Sequence, residues 1–282
     1  MAELALSVQD ELATAAAQLR SAGITASRRE ALLLWSGLAG SAPGEALVRD
    51  ALVGRALVAR FRQAVARRIA GEPIQYVVGN TGFRRLILAS DRRALIPRPE
   101  TEGMVDLALH LAPAGRALDL GTGTGCLALA LADEGAYRDV TGIDASEDAL
   151  SLARENSARS RLEVRWLQGD WTAPVRGERF DVIVTNPPYI ATDELAGLDA
   201  SVTEWEPRLA LDGGQSGLDV PRLVLDHARE VAAPGAALVM ELDATRARAT
   251  AEIARALGWT DVKVHDDLFG RPRYLAARQE SF

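Results

Sequence analysis

A short apolar strand that runs into a glycine-rich turn and straight on into an apolar helix limits what this chain can fold into. The strand is Ala117-Leu118-Asp119-Leu120, the turn Gly121-Thr122-Gly123-Thr124-Gly125, and the helix Cys126-Leu127-Ala128-Leu129-Ala130-Leu131-Ala132. Glycines at such a turn let the backbone approach a ligand and adopt dihedrals that a Cβ would forbid. A nucleotide-like ligand is implied. A dinucleotide fingerprint would place its third glycine at position 126, where this chain has Cys126, so the spacing is G-x-G-x-G and argues against NAD. A second strand, Val140-Thr141-Gly142-Ile143, ends in Asp144, whose carboxylate is placed to accept from both hydroxyls of a ribose.

The apolar run Phe180-Asp181-Val182-Ile183-Val184-Thr185 leads into Asn186-Pro187-Pro188-Tyr189. Prolines fix φ and donate no hydrogen bond, so carbonyls there can face a site as acceptors, with the Asn186 amide oxygen as another. Tyr189 can stack on a flat group. Together they suit a planar, neutral substrate bearing an NH2. A plain proline turn after a strand would account for Pro187-Pro188 but not for the asparagine before them and the tyrosine after.

With both motifs in place, the chain resembles the class I S-adenosylmethionine-dependent methyltransferases. More narrowly, it is similar to the protein-(glutamine-N5) methyltransferases that modify class I peptide chain release factors. The likeness runs from about residue 70 onward and includes Gly71-Glu72-Pro73-Ile74-Gln75-Tyr76, Leu95-Ile96-Pro97-Arg98-Pro99-Glu100-Thr101-Glu102 and Glu206-Pro207-Arg208-Leu209-Ala210-Leu211-Asp212-Gly213-Gly214. It implies an α/β, Rossmann-like domain with a mostly parallel seven-stranded sheet. It implies S-adenosyl-L-methionine as cofactor, held by Gly121, Thr122, Gly123, Thr124, Gly125, Asp144 and Asn186. Asp170 and Trp171 would flank the adenine. Asn186, Pro187 and Tyr189 are then the expected catalytic residues, and Asn186, Pro187, Pro188, Tyr189, Arg98 and Glu102 the expected substrate contacts. The implied substrate is the glutamine of a release factor Gly-Gly-Gln loop. The same slot would serve a glutamine of a ribosomal protein or the exocyclic amine of adenine, and a non-catalytic cofactor-binding module is a further reading. The family carries Asp-Gly-Leu where this chain has Ser216-Gly217-Leu218, and Glu-Ile-Gly where it has Glu241-Leu242-Asp243. Gly213-Gly214-Gln215 repeats the release factor tripeptide by coincidence.

Charge narrows the partners. Residues 1–80 hold nine arginines against seven acids, whereas residues 81–282 hold 23 basic and 32 acidic residues. An acidic catalytic half repels phosphate, which argues against stable nucleic-acid binding and so against the adenine reading. Cys126 is the one cysteine, and His110, His227 and His265 lack metal-ligand spacing, so neither a disulfide nor a metal site is expected. Glu3, Asp10 and Glu11 stand where a signal peptide would be basic and then apolar, and no apolar run reaches membrane length. A cytoplasmic protein is expected.

Three segments are predicted. Residues 1–75 read as a helical bundle that docks the substrate. Val8, Leu12, Ala15, Ala16 and Leu19 recur at helical spacing; Ser27-Arg28-Arg29-Glu30 looks like a capping box; a third helix carries Leu57, Phe61, Ala64 and Ile69. The stretch Gly40-Ser41-Ala42-Pro43-Gly44 separates the second helix from the third. Residues 76–98 read as a β-hairpin linker, with Tyr76-Val77-Val78 and Leu86-Ile87-Leu88 as its strands. Residues 99–282 form the methyltransferase domain, with later strands at 162–167, 180–185, 236–241, 261–265 and 273–277, the last two antiparallel.

Overall fold

A computed structural model describes residues 6–41, 45 and 52–281. The chain divides into two compact units, one of residues 1–80 with 200–205, the other of residues 81–199 with 206–282.

In the first unit, β1 (Leu6–Ser7) precedes α1 (Val8–Ser21), followed by α2 (Ser27–Ala39), β2 (Leu52–Val53), α3 (Arg55–Ile69) and α4 (Ile74–Val78). The 3.6-residue period works as expected in α1, where Val8, Leu12, Ala15, Ala16 and Leu19 are all buried. Their cluster includes Leu34, Trp35 and Phe61, the last two meeting edge to face at 5.1 Å. Two local expectations differ from the structure. Ser27 is the first residue of α2 and caps nothing; Glu30, freed from a capping role, pairs with Arg68 at 2.7 Å. Ile69 ends α3 41% exposed. Part of the predicted separator, residues 42–44, lies outside the described residues; Gly40 before it closes α2 in the left-handed conformation.

Tyr76-Val77-Val78 is helix, not strand. Pro73 precedes its first turn and Gly79, at φ 80°, terminates α4 as a left-handed cap. A short apolar run is compatible with either state, and here Tyr76 and Val77 are buried, Val77 in the core cluster of the first unit. The hairpin lies further on, as β3 (Asn80–Phe83) and β4 (Leu86–Ala89). Its turn holds Arg84 at φ 53°, an unfavourable conformation for a residue with a Cβ. Arg84 is held there by two bonds to Glu134, at 2.8 and 2.6 Å, and by its backbone N–H donating to Glu102 Oε1 at 3.0 Å.

The second unit continues with α5 (Glu102–Leu111), β5 (Ala114–Leu120), α6 (Cys126–Glu134), β6 (Ala136–Asp144), α7 (Glu147–Ser160), β7 (Arg165–Gln168) and β8 (Phe180–Thr185). It ends with α8 (Asp219–Val231), β9 (Ala232–Glu241), α9 (Ala247–Ala256), β10 (Thr260–Asp266) and β11 (Pro272–Arg278). The seven-stranded sheet has the order β10-β11-β9-β8-β5-β6-β7. Its neighbours are parallel from β9 to β7, and β11 and β10 are antiparallel. Alternation along each strand explains the two covered faces. Leu118, Leu120, Ile183, Leu238 and Met240 pack with α8 and α9; Ala117, Val182, Val184, Ala237 and Val239 pack with α5 and α6. The strand order reverses at β5, and a crevice at the carboxyl ends of strands on either side of such a reversal is where this architecture binds ligands. Among the described residues, no helix is long and apolar enough to cross a membrane.

Candidate active site

Three parallel strands deliver the site. β5 ends into the glycine turn, β6 ends at Asp144, and β8 ends at Asn186-Pro187-Pro188-Tyr189. A cavity of about 380 Å³ opens there, within the range of small-molecule sites. Gly121 and Gly123 have φ of 69° and 56°, where a side chain would be strained. A Cβ on Gly121 would face Trp171 at 3.7 Å, and one on Gly123 would face Ala94 at 3.9 Å. Both glycines and both neighbours line the cavity. The turn is fixed from behind by Asp144, whose Oδ2 accepts from Gly123 N–H at 2.8 Å and Oδ1 from Ser146 N–H at 2.9 Å. Burial holds the Asp144 carboxyl above its usual range.

Beneath the turn, Asp119 Oδ2 accepts from Thr122 Oγ1 at 2.5 Å and from Ala128 N–H at 3.2 Å. Its Oδ1 is buried without a hydrogen-bond partner from the protein. Burial pushes this carboxyl up to about 7. Asn156, wholly buried on α7, ties β4 to the turn: Oδ1 accepts from Ala89 N–H at 2.6 Å, and Nδ2 donates to the carbonyls of Ala89 and Thr124 at 3.2 and 2.9 Å.

On the β8 side, Asn186 Nδ2 donates to Thr101 Oγ1 at 3.3 Å, Thr101 Oγ1 donates to Glu241 Oε2 at 2.6 Å, and the Tyr189 hydroxyl donates to Glu241 Oε1 at 3.2 Å. Burial raises the Glu241 carboxyl, opposed by its bond from Thr101 and by nearby Arg273. Burial, with Glu241 beside it, raises the Tyr189 phenol too. A further wall comes from residues 206–212. Buried Glu206 binds Arg98 Nη2 at 2.6 Å and Ile96 N–H at 3.1 Å, so the segment before α5 and the one after residue 205 are clamped together.

Residues 104–203 match the family described as "Methyltransferase small domain", and residues 10–79 the one described as "PrmC N-terminal domain". The release factor glutamine methyltransferase of Deinococcus radiodurans is 40% identical over 278 residues, spanning 97% of this chain and 99% of its own length. That of Cereibacter sphaeroides is 41% identical over 275 residues, 95% of this chain and 97% of its own. The chain belongs to the release factor glutamine methyltransferase family. The fold of a methyltransferase crystal structure from Pyrococcus furiosus matches with a TM-score of 0.54 at 22% identity, covering 79% of this chain and 97% of that one.

Against this family's expected site, the structure brings Gly121, Thr122, Gly123, Thr124, Asp144, Asp170, Trp171, Asn186, Pro188 and Arg98 around one cavity. Four expected contacts lie elsewhere. Gly125 is outside the lining; a Cβ there would come within 2.8 Å of Trp166, so this glycine serves packing. Glu102 is occupied by the Arg84 turn. Pro187 is buried, and Tyr189 turns its hydroxyl to Glu241, so neither is among the lining residues. Gly213 has its own structural reason, because a Cβ there would lie 2.7 Å from Tyr189 Cα. Sequence reasoning gave no site role to Thr101, Asp119, Glu206 and Glu241, which it met only inside longer motifs, and did not meet Asn156 at all. For Asp119 and Glu241 the one available signal was a carboxylate inside or at the end of an apolar run.

Proposed function

We propose that this protein of the release factor glutamine methyltransferase family methylates the side-chain amide nitrogen of the glutamine in a Gly-Gly-Gln loop of a class I release factor. S-adenosyl-L-methionine is the cofactor, and the residues present fit it. Two positive-φ glycines leave open a cradle that a Cβ would enter, Asp119 keeps a buried oxygen without a protein partner beneath it, and Asp144 closes its ribose end. When bound, the cofactor supplies an electrophilic sulfonium methyl whose transfer to the amide nitrogen releases a neutral thioether.

The observation that carries the reading is the Asn186 amide at the cavity wall, its NH2 committed to Thr101 and its oxygen left to accept. An amide nitrogen is a poor nucleophile because its lone pair is delocalised into the carbonyl. Asn186 Oδ1 accepts an N–H of the substrate amide and holds its nitrogen in place, so positioning supplies most of the rate. The same oxygen stabilises positive charge developing on that nitrogen. Its surplus proton leaves to water. Pro188 and Arg98 bound the substrate side of the slot; Trp171 packs beside the cofactor base and Asp170 accepts from its amine. A glycine-flanked glutamine enters because its neighbours have no side chains to meet the walls. The helical unit of residues 1–80 docks the rest of the release factor, and the reaction belongs to the cytoplasm, where such factors act.

Parallel incubation with labelled cofactor and release factor, its Gln→Ala variant, ribosomal protein and DNA tests this. Label is expected on the intact release factor alone; label on DNA, or undiminished label on the Gln→Ala variant, overturns it. Cross-linking an Asn186→Ala enzyme to release factor should mark α1–α3, and links confined to residues beyond 206 would remove the docking role.

A further inference from the structure

Asn186 is useful to a substrate amide only if its oxygen, not its NH2, faces the cavity, and an asparagine side chain has no intrinsic preference between the two. We propose that Glu241 makes that choice through Thr101, as a positioning residue that fixes the orientation of the Asn186 amide. The proposal rests on the methyl-transfer reading of the same site.

The argument follows the hydrogens. Thr101 and Glu241 are each 2% exposed, so water does not compete for their bonds. A hydroxyl has one hydrogen. Thr101 gives it to Glu241 Oε2 at 2.6 Å, and Oγ1 is left with lone pairs only. An acceptor can face only the NH2 end of Asn186, which lies 3.3 Å away as Nδ2. Oδ1 is thereby turned away from Thr101. Glu241 imposes this whether it is ionised or carries a proton on Oε1, because Oε2 accepts in both states. Its other oxygen receives the Tyr189 hydroxyl at 3.2 Å. The first and last residues of the Asn-Pro-Pro-Tyr turn are thus both referenced to one carboxylate at the end of β9, the strand that pairs with β8. If Glu241 were absent, Thr101 could offer its hydrogen to Asn186 Oδ1 instead, and the amide would be free to flip.

Thr101→Val and Glu241→Leu test this, with Thr101→Ser as the conservative partner. Both disruptive variants should lower kcat on the order of 10²-fold, the scale of a misplaced reacting group, while KM for the release factor and the cofactor dissociation constant move less than about threefold. Thr101→Ser should recover most of the lost rate. The side-chain amide resonances of Asn186, recorded by 15N NMR in the cofactor-bound enzyme without substrate, should shift in Thr101→Val and Glu241→Leu and return in Thr101→Ser. That readout does not depend on which substrate is methylated, so an inactive wild-type enzyme would refute the function while leaving the orientation measurable. Should Glu241→Leu fail to fold, Thr101→Val carries the test. An undiminished kcat in Thr101→Val, a serine variant as slow as the valine one, or unmoved amide resonances would each overturn the proposal.

Discussion

Replacing Asp119 with asparagine should change how stability depends on pH. In the folded protein burial raises this carboxyl from 3.8 to about 7, so the neutral form is favoured on folding. The stability linked to it is fully present below pH 3.8 and is lost as pH rises through 7. Linkage with those two values gives a cost of about 2 kcal/mol at pH 5 and about 4 kcal/mol at pH 8, an order-of-magnitude loss of 2–3 kcal/mol across the interval. An asparagine oxygen can still accept from Thr122 and Ala128, and it has no charge to bury. Urea denaturation of the cofactor-free wild type and Asp119→Asn, followed by circular dichroism between pH 5 and 8, isolates this carboxyl because every other titrating group is shared. The wild type should lose about 2–3 kcal/mol relative to the variant as pH rises. Parallel pH profiles would show that Asp119 is not held in its neutral form by burial.

Asp144→Ala should weaken cofactor binding by about 1.5–3 kcal/mol, the contribution of hydrogen bonds to a charged group, and calorimetry giving an unchanged dissociation constant would sink the ribose assignment. Asn186→Ala should cost on the order of 10²-fold or more in single-turnover rate while leaving cofactor affinity in place; a rate close to wild type would move the chemistry elsewhere. Gly142→Ala would put a Cβ 2.4 Å from the Trp166 ring, so overpacking should lower stability by about 1–3 kcal/mol, and a thermal midpoint equal to wild type would contradict the packing described.

The sequence made the central strands legible because their apolar runs are long and end in residues with conformational signatures. β8 falls at Phe180–Thr185, as expected, and β5 reaches its glycines at Leu120. The local signals failed where two readings shared one pattern, as at Tyr76-Val77-Val78, or where tertiary partners overrode a local preference, as at Arg84. The second half of the candidate site was hidden for a different reason. Glu241 meets Thr101 across 140 positions and Asn156 meets Ala89 across 67, so neither pair leaves a spacing to be read. A glutamate at the end of an apolar strand looks like the place where burial stops. In the fold it is 2% exposed and at the centre of a network.

The short helix Ala200–Thr203 and the residues after it, through Trp205, belong with the N-terminal unit, where a Cβ on Gly71 would lie 3.7 Å from Trp205 Nε1. The polypeptide therefore passes from one unit to the other three times, after residues 80, 199 and 205. Recombination between relatives works with contiguous stretches of gene, and no single crossover can exchange this unit intact. A chimera joined at residue 80 would inherit the helices of one parent and the 200–205 strip of the other. Substitutions around Gly71 should therefore be compensated in that strip, some 130 positions downstream, and lineages that trade N-terminal halves should carry a second, smaller exchange with them.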